Sequence, residues 1–97
     1  MAIVRAHVWA SGRVQGVGFR DFVYRQAVPL GVAGFVRNLP DHRVEVVAEG
    51  PRPGVEALID AIRKGPSGAS VREVEVVWEA PQGESRFLIR TGGMVHD

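Results

Sequence analysis

Between Gly12 and Arg20 the spacing of apolar residues changes its period, and that change constrains the fold more than any other feature of the chain. Before it, Val4, Ala6, Val8 and Ala10 alternate with Arg5, His7, Trp9 and Ser11, the period of a strand with one buried face. After it, Phe19, Phe22, Val23, Gln26, Ala27 and Leu30 are spaced for one face of a helix. Gly31 suits the end of that helix, and Pro29 can kink it or end it early. The junction, Gly12-Arg13-Val14-Gln15-Gly16-Val17-Gly18-Phe19-Arg20, is therefore a strand-to-helix turn carrying two closely spaced glycines. Glycine lets backbone N–H groups approach a ligand closely, and a helix N-terminus leaves several such donors unpaired with partial positive charge behind them. Arg20 places a cation where the helix dipole disfavours one by about 0.3–1 kcal/mol. That charge has a use only if an anion such as phosphate sits beside it.

Downstream, Val32 to Leu39 and Arg43 to Glu49 are β-branched runs around Pro40-Asp41-His42, the pattern of a hairpin. Gly50-Pro51-Arg52-Pro53-Gly54 is expected to break the chain. Val55, Leu58, Ile59 and Ile62 mark a second helix closed by Lys64-Gly65-Pro66. Val71 to Ala80 predicts a long strand and Arg86 to Arg90 a short one, ahead of a tail over 91–97 with little to hold it in place. The order is βαββαβ plus a short C-terminal strand, the split βαβ sandwich of ferredoxin-like α+β folds, with two helices on one face of an antiparallel sheet. In that unit the first two strands run parallel through a right-handed crossover with the third inserted between them. The end of the first strand, which carries the glycine turn, and the end of the second, which carries Asn38, then lie about 10 Å apart on one sheet edge. A ligand held by one can meet a side chain on the other.

Composition narrows the chemistry. At 97 residues and 45% apolar content the chain fits one domain with a single core. No run is long enough to span a membrane, and the first residues lack the apolar stretch of a secretory signal. Without cysteine there is neither a disulfide framework nor a thiolate metal site, so a cytoplasmic location is the expectation. His7, His42 and His96 show no ligand spacing, and no metal or cofactor is expected. A net charge of +1 speaks against a protein that binds nucleic acid through a broad basic surface. The turn matches neither the dinucleotide fingerprint, since Asp21 stands where its third glycine belongs, nor a Walker loop, which needs Gly-Lys-Ser/Thr. What remains is a short loop suited to a single phosphate group. Taken in isolation, the glycines read as tight geometry, Asn38 as a turn former, and Arg13 and Gln15 as solvated or as braces for the loop.

Gly12 to Arg20, with Gly34-Phe35-Val36-Arg37-Asn38-Leu39-Pro40-Asp41 and Val44-Glu45-Val46-Val47-Ala48-Glu49-Gly50, closely resembles the acylphosphatases, and the similarity spans nearly the whole chain. The resemblance implies a metal-independent hydrolase of acyl phosphates, which yields carboxylate and inorganic phosphate. It implies that Arg20 binds the phosphate together with the loop amides from Gln15, Gly16, Val17, Gly18 and Phe19, and that Asn38 positions the attacking water. Inorganic phosphate is then expected as product or inhibitor; a monomer is the default expectation for a single small domain. One departure is visible: the family commonly has glycine after the hairpin aspartate, where this chain has His42. If the turn demands positive φ there, histidine is accepted less easily than glycine, with a small effect on the hairpin and none on the chemistry.

The rival reading is a non-catalytic module that binds phosphate or nucleic acid on the same fold. Ala33-Gly34-Phe35-Val36 echoes the aromatic core of RNA-recognition motifs. The echo falls on the second strand, however, and the third, Val44 to Glu49, carries no aromatic residue. A relation to the acylphosphatase-like module of a hydrogenase-maturation factor is the other alternative; the isolated length, beginning at Met1, favours a free-standing enzyme.

Overall fold

The computed structural model describes residues 2–91. The chain forms β1 (Ile3–Arg13), α1 (Phe19–Ala27), β2 (Ala33–Asn38), β3 (Val44–Pro51), α2 (Arg52–Lys64), β4 (Ser70–Glu79) and β5 (Phe87–Ile89), and the sheet order is β4-β1-β3-β2-β5. The expected ferredoxin-like arrangement is present, with β3 antiparallel to both β1 and β2 and inserted between them. The tail expected over 91–97 falls, beyond Thr91, outside the described residues.

Alternation sets which side of each strand is buried. Ala6, Val8 and Ala10 of β1, Val44, Val46 and Ala48 of β3 and Val36 of β2 are buried, together with Phe19, Val23 and Ala27 of α1 and Val55, Leu58, Ile59 and Ile62 of α2. Each such side chain contributes about 1.5–3 kcal/mol of transfer free energy if it is Val-sized or larger, so the sheet-helix layer dominates stability. The opposite face of the sheet carries charge. Arg5 contacts Glu49, Glu79 and Glu84, and the two ring nitrogens of His7 lie 2.6 Å from Glu45 and 3.0 Å from Glu79. Glu45, which also pairs with Arg37, and Glu49 stand where an RNA-recognition sheet would present stacking aromatics on its third strand.

Three elements differ in detail from expectation. Regular α-helix stops at Ala27, before Pro29, whose nitrogen has no hydrogen to donate. The chain then closes through Gly31 N–H to Val28 O and Val32 N–H to Ala27 O, with Gly31 at φ 70°, which is a Schellman closure. The segment Gly50 to Gly54 does not break the chain. β3 runs through Pro51 and α2 begins at Arg52, because Pro53 falls in the first helical turn, where an N–H would have had no intrahelical partner. Lastly, β5 adds to β2 in parallel, so the sheet is mixed. Residues 80–86 carry the chain from the β4 edge to the β5 edge at one end of the sheet, and a strand that then returns along the sheet runs opposite to β4 and hence with β2. Seven residues span about 24 Å at most, against about 19 Å for four strand spacings.

The β2–β3 hairpin turns through His42 at φ 75°, the non-glycine residue with positive φ among those described. Left-handed backbone costs an L-residue roughly 1–2 kcal/mol, partly offset by the greater unfolded-state freedom of glycine. His42→Gly should therefore raise stability by up to about 1 kcal/mol in chemical denaturation; a clear loss of stability would show that the imidazole holds the turn.

Candidate active site

Beyond Arg13 the chain leaves the sheet edge through buried Val14 and turns at Gly16 (φ 75°) and Gly18 (φ 74°, ψ 23°). The left-handed conformation explains both glycines, since a Cβ at either would meet nothing within 4 Å. Gly18 caps α1 without a side-chain hydrogen bond, and the first intrahelical bond runs from Phe22 N–H to Gly18 O at 3.0 Å. Helix geometry thus leaves the N–H groups of Phe19, Arg20 and Asp21 without intrahelical acceptors. Asp21, the acidic residue of that turn, is ion-paired at 2.9 Å with Arg25 one turn along.

Asn38 ends β2 opposite Val44, the residue that also pairs with Ala10 of β1. A cleft of about 230 Å³ lies between these parts, lined by Gly16, Gly18, Phe19, Arg20, Asn38 and Ile89, with Val14 and Asp21. Arg20 and Asn38 are therefore brought to one cleft with the two glycines of the loop. Gln15 behaves as a brace: its side-chain amide donates to Leu39 O (3.0 Å) and Arg43 O (2.9 Å), tying the loop to the β2–β3 hairpin. Its side chain is thus engaged with the hairpin and is not part of the cleft lining. Val17 packs against the core and Arg13 is exposed.

Arg20 is half-buried and not a solvated helix residue. Its Nη1 donates to the carbonyl oxygen of Arg90 at 2.6 Å, just past β5. Sequence reasoning missed this contact, and Ile89 as a wall of the cleft, because a backbone carbonyl carries no residue identity and the direction of β5 was not foreseen. Among the described residues no group of three or more His, Asp or Glu side chains is placed to hold a metal ion, and no helix is long and apolar enough to cross a membrane. A larger groove of about 380 Å³ between α2 and β4 is lined by Glu56, Ile59, Asp60, Arg63, Val76 and Trp78. Beside it, Arg52 lies 4.8 Å from the centre of the Trp78 ring.

Fold and cleft together describe a class: a split βαβ domain with a glycine-rich, arginine-bearing helix N-terminus beside a strand-borne asparagine. The acylphosphatase family model matches residues 6–89, and the chain belongs to that family. An acylphosphatase of Moorella thermoacetica is 50% identical over 91 residues, covering 94% of this chain and 98% of that protein. The crystal structure of an acylphosphatase from Bacillus subtilis superposes with a TM-score of 0.86 at 37% identity, over 89% of this chain and 97% of that one. A structure of full-length HypF in its phosphate- and nucleotide-bound form is also similar (TM-score 0.88, 29% identity), over 94% of this chain but 12% of that one.

The Gln15 brace is testable by itself. Gln15→Ala should cost about 1–2 kcal/mol, the worth of two hydrogen bonds to hairpin carbonyls. Gln15→Glu should cost more at neutral pH, because an ionised carboxylate would face two carbonyl oxygens, and should recover on acidification; equal stability of the two variants in urea would exclude the brace.

Proposed function

We propose that this acylphosphatase cleaves the carboxyl-phosphate bond of acyl phosphates with two side chains in distinct roles, Arg20 on the phosphoryl group and Asn38 on the attacking water. The observation that supports the reading is the shared cleft, lined by the glycine turn, by Arg20 in the first turn of α1 and by Asn38 at the end of β2. In this reading the phosphoryl oxygens take the N–H groups of the loop from Gln15 to Phe19 and of the first turn of α1, an anion site of the helix N-terminal kind. The Arg20 guanidinium adds a planar fork of donors matched to phosphate. Asn38 holds a water in line with the carboxyl-phosphate bond.

An acyl phosphate is already activated, so positioning and charge stabilisation carry the reaction and no strong nucleophile is required. The cleft agrees with that economy. Asp21 is the carboxylate along its lining, and it is committed to Arg25. The products are carboxylate and inorganic phosphate, the latter a competitive inhibitor because it shares the phosphoryl end of the substrate. We further propose that the protein works without a metal, as a monomer and in the cytoplasm; the cysteine-free composition supports the last.

Purified protein should hydrolyse benzoyl phosphate with EDTA present, and Arg20→Ala should lower kcat/KM at least 100-fold, because a preorganised donor at developing charge is worth about 10²–10³ in rate. Retention of more than a tenth of the wild-type value would remove Arg20 from the chemistry. Arg20→Lys should rescue only partly, a point charge replacing a fork.

Asn38→Ala should abolish turnover and leave the dissociation constant for inorganic phosphate nearly unchanged. A residue that merely shapes the strand end would behave in the opposite way, losing about 1 kcal/mol of stability with kcat within a few-fold of wild type. Measuring kcat, phosphate Kd and thermal unfolding on this variant separates the two roles.

A further inference from the structure

Residues 80–86 cross one end of the sheet with every residue exposed, so no buried side chain sets their path. What sets it is a clasp. The carboxylate of Glu49, only 4% exposed, accepts the N–H groups of Gln82 (2.8 Å), Gly83 (3.0 Å) and Glu84 (3.2 Å) in succession. Arg5 Nη1 bridges the same carboxylate, at 3.4 Å, to Glu84 at 2.9 Å. Burial pushes the Glu49 carboxyl up, but the three backbone donors and Arg5 outweigh it and hold the group below the usual carboxylate range. The acceptor is thus an ionised one, at which hydrogen bonds are strongest.

The strap leads directly into β5, a strand of three residues whose one buried side chain is Phe87, with Leu88 39% and Ile89 44% exposed. Its own ladder on β2 is short: three residue pairs, with Gly34 N–H donating to Arg86 O at 2.9 Å ahead of them. Yet its far end does the most sensitive work at the site. Arg90 N–H donates to Val36 O at 2.9 Å, Arg90 O receives the Arg20 guanidinium at 2.6 Å, and Ile89 walls the cleft. A slip of one residue would move that carbonyl by about 3.3 Å, beyond hydrogen-bond reach.

We propose that Glu49 is a positioning residue for Arg20: by clasping the 82–84 backbone it fixes the register in which β5 presents the Arg90 carbonyl to the guanidinium. The proposal rests on the reading that Arg20 binds the phosphoryl group. It couples a carboxylate on the charged face of the sheet to a cleft that it does not touch.

The test compares Glu49→Ala, Glu49→Gln and the milder Glu84→Ala, which removes an exposed partner of Arg5 on the strap, with wild type at a temperature well below each melting point. Glu49→Ala should raise the inhibition constant of inorganic phosphate and KM for benzoyl phosphate about ten-fold each, with a smaller change in kcat. NMR should show the Arg20 side-chain N–H and Arg90 amide resonances moving. Glu49→Gln, which keeps one acceptor oxygen, should recover part of the affinity, and Glu84→Ala should shift it two- to three-fold in the same direction. A Glu49→Ala protein with a lowered melting temperature but phosphate affinity and KM within two-fold of wild type would reduce the clasp to a stabilising contact. Should Glu49→Ala fail to fold, unchanged phosphate affinity in both Glu49→Gln and Glu84→Ala overturns the proposal. An inactive wild type would instead overturn the functional reading, and movement of the Arg20 resonances in Glu49→Gln would still decide the coupling.

Discussion

Val44 pairs with two strands at once, and the geometry of the cleft follows from that. Ala10 of β1 lies across from it on one side and Asn38 of β2 on the other, which brings the ends of two parallel strands level with each other. About 10 Å then separates them, a gap that the loop after β1 closes from one side and Asn38 from the other. The register that achieves this is written in β3 itself. Val44, Val46 and Ala48 face the helices while Glu45 and Glu49 face Arg5, His7 and Arg37. A one-residue slip would send both carboxylates into the apolar layer, at a cost of several kcal/mol per buried ion. The site inherits its precision from that prohibition.

Where the fold was legible, a strong period made it so. The alternation of β1, the 3.6-residue spacing of α1 and α2, and the proline-marked hairpin each point to one element, and the right-handed crossover rule leaves little choice in assembling them. Legibility failed where residues with two local meanings met a tertiary constraint. Gly50 to Gly54 has the composition of a loop, but a proline in the first turn of a helix loses nothing, so strand passes into helix without a break. The direction of β5 was hidden for another reason. It depends on which end of the sheet the 80–86 connection crosses and on the reach of seven residues, and no side chain in Phe87–Ile89 encodes either.

The candidate site divides along the same line. Arg20 and Asn38 could be brought together on paper because topology places strand ends, and the cleft does contain both. For Gln15 the amide chemistry was visible but its acceptors were not, since Leu39 O and Arg43 O become neighbours of the loop only once the hairpin is closed. The Arg90 carbonyl lay beyond any reading of residue types. His42 is the converse: its positive φ could be suspected from a glycine-favouring position, and the backbone adopts it at 75°.

The N-terminus of α1 accumulates positive potential that no side-chain cap relieves. A Ser or Asp N-cap would bond one of the orphan N–H groups, but it needs extended backbone, and position 18 holds the left-handed conformation (φ 74°) that favours glycine. Gly18 supplies no such bond, and the one carboxylate of the first turn is drawn to Arg25 on the outside of the helix. Arg20, set against the dipole, donates to a neutral acceptor, the Arg90 carbonyl, which orients the guanidinium without cancelling its charge. A carboxylate in that place would neutralise the arginine and compete with any anion for it. Holding a cation by a carbonyl keeps its direction and its potential together, which is what preorganised charge stabilisation requires. The uncapped start of α1 is what an anion site of the kind proposed needs, and the helix is held by the core one layer beneath, through Phe19 and Val23.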